Sequence, residues 1–151
     1  MTGAEFKTIR ESLGLSAQAL ADILGVSQER TIRRWEDGSR AVPVGAAERL
    51  LALDQWADTL AANGYTVIQG SGAAAVVLLR YETEEELRHY RPQDAAFPHA
   101  NRVHAAALGR LRRLAPDAVR LLSMDAGAYE AWRGNRKDSE ALRAQWAAEQ
   151  I

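Results

Sequence analysis

The sequence predicts an α+β fold, in which an all-α segment at residues 1–63 precedes a mixed segment at residues 64–151. Three observations support this fold class. Apolar residues of the first segment recur at helical spacing between capping residues. Runs of β-branched and apolar residues typical of strands begin only after Gly64. Helix-capping signals then return towards the C-terminus, so helices and strands share the second segment.

Length, charge and cysteine content restrict the possible functions. A chain of 151 residues with 47% hydrophobic residues can form one ordinary domain or two small ones. Its net charge is −1, so binding to nucleic acid would need a local basic patch. The absence of cysteine excludes a disulfide framework, a zinc finger and thiol chemistry.

Neither a secretory signal nor a membrane-spanning helix is expected. The first twenty residues carry four charged side chains and no long apolar segment. The longest apolar run, at 73–79, is far shorter than the ~20 residues that a membrane-spanning helix requires. These features favour a cytoplasmic protein.

Two short helices joined by a tight turn are predicted within residues 16–38, the stretch around which the chain is organised. Ser16 is a suitable N-cap for the first of them, at about 17–24. Gly25 follows the last apolar position, where a helix commonly ends in the left-handed conformation. Ser27 is then placed to cap the second helix.

The second of these helices has two chemically distinct sides. Ile32 and Trp35, three residues apart, share one face and should anchor the helix to the core. Arg30, Arg33 and Arg34 occupy the opposite direction. A rigid helix that presents guanidinium groups suits the major groove of DNA, because arginine donors match guanine edges and phosphate oxygens.

The sequence words LGVS and RRWEDG resemble the helix-turn-helix of Cro- and repressor-type transcriptional regulators, over about residues 2–60. Two features depart from that pattern. Ala17, with Gln18 after it, stands where most such domains have glutamine, and one extra residue lies between Val26 and Ile32. This variant, with ERTIRRWEDGSRAVP, looks most like the small repressors associated with anti-CRISPR operons and antitoxin-type repressors. The resemblance implies a homodimer that binds an inverted repeat and represses its own short operon.

The candidate DNA-binding residues follow from the helix face and from the resemblance. Base and phosphate contacts are expected from Arg30, Arg33 and Arg34, with Gln28 and Thr31 as secondary candidates. Ser27 and Arg40 are expected to contact backbone phosphates. Residues 1–60 nevertheless carry seven basic and nine acidic side chains. Positive charge must therefore be concentrated on one face, and non-specific binding should be weak and sensitive to salt.

The remaining elements are predicted from capping and breaking residues. Thr2 and Glu5 form a capping box for a first helix that ends at Gly14, and its Lys7 and Arg10 should be solvated or near a DNA backbone. Further helices are expected at 43–63 (stopped by Asn63-Gly64), 83–90, 98–114, 126–132 and 139–150 (capped by Asp138), a β-hairpin at 65–68 and 74–79, and a third strand at 119–124.

The second segment has two possible roles. It most simply dimerises the protein, with large apolar side chains at Tyr129, Trp132, Leu142 and Trp146 either meeting a partner copy or filling a core of their own. An alternative function is a protein-interaction or small-effector-binding module, in which this segment binds a partner protein or small effector.

Other chemical signals are weak. The G-x-G-x-x-A pattern at 70–75 precedes an apolar run and fits a hairpin turn better than a nucleotide loop. The three histidines lack the spacing of metal ligands, and no nucleophile set is present. We therefore expect neither an enzyme nor a cofactor. The basic helix at 98–114, with Arg102, Arg110, Arg112 and Arg113, is either a solvated face or a second nucleic-acid surface.

Overall fold

A computed structural model describes the whole chain, residues 1–151. It contains eight α-helices, one short 3-10 helix at Pro92–Asp94 and two strands. The fold is therefore α+β, as predicted. In chain order the elements are α1 Gly3–Ser12, α2 Ala17–Leu24, α3 Glu29–Glu36, α4 Val44–Ser71, β1 Val76–Arg80, α5 Glu84–Tyr90, α6 Ala100–Leu114, β2 Val119–Ser123, α7 Ala126–Arg133 and α8 Glu140–Ala148.

Helices α1 and α2 begin and end where local signals predict. Thr2 and Glu5 form the expected capping box of α1. The hydroxyl of Ser16 accepts a hydrogen bond from the N–H of Ala19 at 3.0 Å and caps α2. Gly25 ends α2 with φ of 66°, the left-handed conformation that glycine adopts without steric cost. These caps confirm the predicted pair of helices around a tight turn.

Helix α4 contradicts the prediction of a stop at Asn63-Gly64. It continues through Tyr65 and Ile68 to Ser71, so the segment expected to form the first hairpin strand is helical. Gly64 has a packing role instead, because a Cβ atom there would lie 2.6 Å from Cδ2 of Leu111 on α6. The predicted boundary between residues 63 and 64 thus falls inside a continuous helix of 28 residues.

The predicted β-hairpin is also absent, and its second run is paired elsewhere. β1 and β2 form a two-stranded parallel sheet, with Val76 opposite Val119 and Arg80 opposite Ser123. Parallel strands need a long crossover connection, which α5 and α6 supply here. β2 itself lies within the predicted range 119–124.

The apolar core joins the two predicted segments. Phe6, Leu20 and Ile32, all fully buried, share one cluster with Val103 and Ala107 of α6. A second cluster surrounds Tyr129 and Trp146, which are 0% and 3% exposed within the single chain. These two aromatic side chains therefore fill a core of their own and need no partner copy to cover them.

The start of α8 differs from the prediction in detail. Ser139, not Asp138, is the N-cap, and its hydroxyl accepts a hydrogen bond from the N–H of Leu142 at 3.1 Å. The Asp138 carboxylate instead accepts a hydrogen bond from the Tyr129 hydroxyl at 2.5 Å and pairs with Arg143. Asp138 thereby connects α7 to α8. None of the eight helices combines the length and apolar character needed to cross a membrane.

Two glycines of α4 should respond in opposite ways to alanine. Gly70→Ala adds a methyl group in open space and should stabilise the fold by up to ~1 kcal/mol through helix propensity. Gly64→Ala forces Leu111 to move, and overpacking should outweigh that gain by ~1 kcal/mol. Urea unfolding of both variants measures the difference. Equal stabilisation by the two substitutions would contradict the close approach of α4 and α6.

Candidate nucleic-acid interface

The turn between α2 and α3 fixes the direction of α3. The N–H of Val26 donates to the carbonyl of Ala21 at 2.9 Å, which closes the end of α2. Leu20 and Ala21 of α2 are fully buried, as is Ile32 of α3, while Trp35 is 7% exposed. Ile32 and Trp35 therefore anchor the inner face of α3, as predicted, and orient its outer face towards solvent.

The predicted arginines do not share one environment. Arg30, Arg33 and Arg40 are exposed, and Arg34 is half-buried. Arg33 pairs with Glu29 one turn earlier, with Nη2 and Oε1 2.7 Å apart. Arg30, Arg34 and Arg40 form no ion pair in the structure. Three of the four guanidinium groups are thus available to an external anion, and Arg33 must exchange Glu29 for it.

The first turn of α3 is capped differently from the prediction. Gln28, not Ser27, is the N-cap residue, and the Gln28 side chain makes no capping hydrogen bond. Both side chains are exposed, whereas Thr31 is half-buried. The first N–H groups of a helix lack partners within it and favour phosphate, so Ser27 and Gln28 lie beside a suitable anion position.

An ion pair that the sequence did not reveal holds the other end of α3. Nε of Arg10 donates to Oε1 of Glu36 at 2.6 Å, and the two side chains are only 9% and 7% exposed. Nη1 of Arg10 also donates to the carbonyl of Leu15 at 2.6 Å. Arg10 is consequently neither solvated nor near a DNA backbone, contrary to expectation. It ties α1 and the loop before α2 to the C-terminus of α3.

This pair changes the charge of the surface around α3. Because Glu36 is buried against Arg10, its carboxylate does not face an approaching phosphate. The carboxylates that remain near the arginines are Glu29 and Asp37, and Asp37 accepts a hydrogen bond from the N–H of Ser39 at 2.8 Å. Four arginines at 30, 33, 34 and 40 therefore face two carboxylates, and the local excess is positive although residues 1–60 together are acidic.

The second candidate surface, on α6, is not a continuous basic face. Arg110 turns inward, where Nη1 contacts Asp58 at 2.7 Å and Nη2 contacts Asp54 at 2.5 Å. Its side chain is 14% exposed. Arg102 and Arg113 remain exposed, and Arg112 is half-buried. Arg110 thus joins α6 to α4 and is not available to nucleic acid.

The three histidines lie in separate environments, and the structure contains no group of three or more side chains suited to a metal ion. His99 precedes α6 with φ of 59°, and its Nε2 lies 2.8 Å from Oδ2 of Asp22 on α2. Hydrogen bonds from His99 and then Gln18 lower the pKa of Asp22. His99 therefore links α6 to the first helix of the candidate DNA-binding pair.

His104 should make the fold sensitive to acid. Burial, and then the charge of Arg91, lower its pKa to about 4 against the opposing effect of Asp94. The imidazole of the unfolded chain has a pKa of about 6.5. Between pH 6.5 and pH 4 the unfolded chain therefore binds a proton at His104 that the native chain does not bind, and the free energy of unfolding falls as pH falls. The expected loss is up to ~3 kcal/mol.

Urea unfolding at pH 7 and pH 4.5 measures this effect in the wild type and in His104→Gln. Carboxylates titrate in both proteins, so only the difference between their pH dependences reports on His104. We expect the wild type to lose more stability than the variant over this interval. Parallel pH profiles would contradict a neutral, buried imidazole.

Comparison with known families matches the chain over its whole length. Residues 1–151 match the model of a family described as a domain of unknown function, DUF4447, and the chain belongs to this family. No curated protein matches the chain. Because the family description names no activity, a function for the chain must be inferred from its own side chains.

Proposed function

We propose that this member of the DUF4447 family is a sequence-specific DNA-binding repressor of transcription that acts as a homodimer on an inverted repeat. One observation carries the proposal. The α2–turn–α3 unit buries Ile32 and Trp35 and presents arginines on the opposite side of α3. Such a unit places its second helix in the major groove. We also propose a cytoplasmic location.

Each side chain of this surface has a proposed role. Arg30 and Arg34, which lack ion-pair partners, contact base edges or phosphates in the groove, with Thr31 beside them. Arg33 joins them when it leaves Glu29. Ser27 and Gln28 at the start of α3 and Arg40 in the loop after it contact backbone phosphates on either side.

The electrostatics favour specific over non-specific binding. The local excess of positive charge is small, and the chain as a whole has a net charge of −1. Attraction to arbitrary DNA is therefore limited, and binding should weaken steeply as salt rises because each phosphate contact releases counterions. Base contacts from a well-anchored helix must supply much of the affinity for an operator.

The homodimer and the repressor role rest on the resemblance of residues 2–60 to Cro- and repressor-type regulators. Apolar side chains outside α3 offer surface for a partner copy. On α4 Leu51 is 47% exposed, and on α6 Leu114 is 55% exposed. A two-fold dimer would present two copies of α3 to two half-sites.

Binding to the DNA upstream of the gene tests the proposal. The full chain is titrated onto that fragment in a gel shift with unrelated competitor DNA, and the bound region is mapped by footprinting. We expect protection of an inverted repeat and a stoichiometry of two chains per site. Equal retention of unrelated DNA, or no retention at low salt, would overturn the assignment.

A further inference from the structure

A small cavity of about 100 Å³ lies against β1, and no residue of α3 lines it. Its apolar wall is Val77, Leu78 and Leu79 of β1. Its polar wall comes from four other elements of the chain, which bring together Tyr81, Arg91, His104, Glu140 and Arg143.

His104 is the unexplained member of this wall. It is 4% exposed, it forms no hydrogen bond, and its Nδ1 is buried without a partner. A buried polar group without a partner costs free energy, and native structures seldom leave one. The ring lies beside Tyr81, with ring centroids 5.8 Å apart. A neutral imidazole here can donate one hydrogen bond and accept one.

The two guanidinium groups give the wall its charge. Arg143 pairs with Asp138, which lies outside the cavity wall, and donates to the carbonyl of Tyr90 at 3.0 Å. Arg91 uses Nε for Asp94 and Nη1 for Glu140, so Nη2 has no protein partner. Glu140 is the one carboxylate of the wall, and its side chain is 71% exposed. The two guanidinium groups therefore pair with three carboxylates, of which Glu140 alone lines the cavity and can be displaced by a ligand.

An apolar groove of about 420 Å³ continues from this cavity towards α4. The two share Val77, Leu78, Arg91, Glu140 and Ala144 in their walls. The rest of the groove is mostly apolar, with Val67 and Ile68 of α4 and Leu111 of α6 among its residues. A groove of this size with a few convergent polar groups at one end is typical of small-molecule sites.

We propose that the cavity and groove bind a small organic acid, whose carboxylate lies against His104, Arg91 and Arg143 and whose apolar tail lies along β1. Guanidinium groups match a carboxylate in charge and geometry, and the imidazole N–H supplies a further donor. The incoming carboxylate takes the place of Glu140 on Arg91. No residue of α2 or α3 lines the site, so the inference stands independently of DNA binding.

Sodium octanoate is the probe, with octanamide as a neutral probe of the same length. Each is titrated into the full chain while NMR follows the imidazole signals of His104 and the amide signals of β1. We expect saturable shifts with octanoate at millimolar concentration or below, and binding of octanamide weaker by about tenfold or more. Absence of a saturable shift, or equal binding of both probes, would overturn the proposal.

Two substitutions sharpen this test. Glu140→Gln removes the competing carboxylate and should tighten octanoate binding by about three- to tenfold, an effect that misfolding cannot imitate. His104→Phe removes the donor and should weaken binding by about tenfold. Glu85→Gln, the same charge change at an exposed position of α5 outside the site, should have no effect. Unchanged or weaker binding by Glu140→Gln also contradicts the proposal, even if His104→Phe fails to fold.

Discussion

Replacing Arg30 and Arg34 together by alanine should weaken binding to the DNA fragment retained by the wild type by roughly 2–6 kcal/mol, because each residue is expected to supply about 1–3 kcal/mol through base or phosphate contacts. Neither arginine forms an ion pair within the chain, so we attribute the loss of affinity to contacts with DNA. Fluorescence anisotropy at a fixed salt concentration gives the affinity, and repetition over a salt series should show a shallower slope for the variant.

Two single substitutions serve as comparisons for this experiment. Arg113→Ala removes the same charge from an exposed position of α6 and should leave the affinity unchanged. Arg33→Ala should cost less than Arg30→Ala, because Arg33 gives up its 2.7 Å contact with Glu29 when it binds DNA. If Arg113→Ala lost as much affinity for DNA as Arg30→Ala, the result would show that the DNA interface includes α6. Full binding by the variant that lacks both Arg30 and Arg34 would show that α3 does not lie in the major groove.

Glu36→Gln should destabilise the fold by about 3 kcal/mol, because the substitution removes the buried counter-charge of Arg10 and leaves only the exposed carboxylate of Glu11, 3.4 Å away. Both side chains are less than one tenth exposed, at 9% and 7%, so water cannot replace the carboxylate. The substitution should also make the position of α3 less rigid, since Arg10 joins α1 and the loop before α2 to the last turn of α3. Urea unfolding measures the change in free energy.

The pair of Glu29 and Arg33 is the matched control for this substitution. Its side chains are 38% and 63% exposed, so Glu29→Gln should change stability by no more than ~0.5 kcal/mol. The double variant Arg10→Met/Glu36→Met should recover much of the stability that Glu36→Gln loses, because no buried charge remains. A small effect of Glu36→Gln, similar to that of Glu29→Gln, would show that the buried pair is well solvated.

Local signals predicted the part of the fold in which neighbouring residues decide the outcome. Thr2 and Ser16 cap α1 and α2 because their side chains accept from the backbone three residues ahead. Gly25 ends α2 for an equally local reason. The spacing of Ile32 and Trp35 fixed the buried side of α3, and with it the placement of the arginines. All these interactions lie within a few residues of the chain.

The features that the sequence did not predict depend on contacts between residues far apart in the chain. Gly64 reads as a helix stop, yet its close approach to Leu111 on another helix gives the glycine a packing role. Ile68 is β-branched, but burial against Leu111 and Val119 overrides its strand propensity. β1 pairs with β2 across α5, a short 3-10 helix and α6, which turn residues alone could not indicate. The partner of Arg10, 26 residues away, is equally invisible in the chain order.

The continuity of α4 has a mechanical consequence. A helix of 28 residues is about 40 Å long at 1.5 Å per residue, and it begins just after the α3 loop and ends in the wall of the apolar groove. Proline, the commonest cause of a kink, is absent between Val44 and Ser71. One helix therefore connects the wall of the groove directly to the loop after α3, next to the surface that would touch an operator.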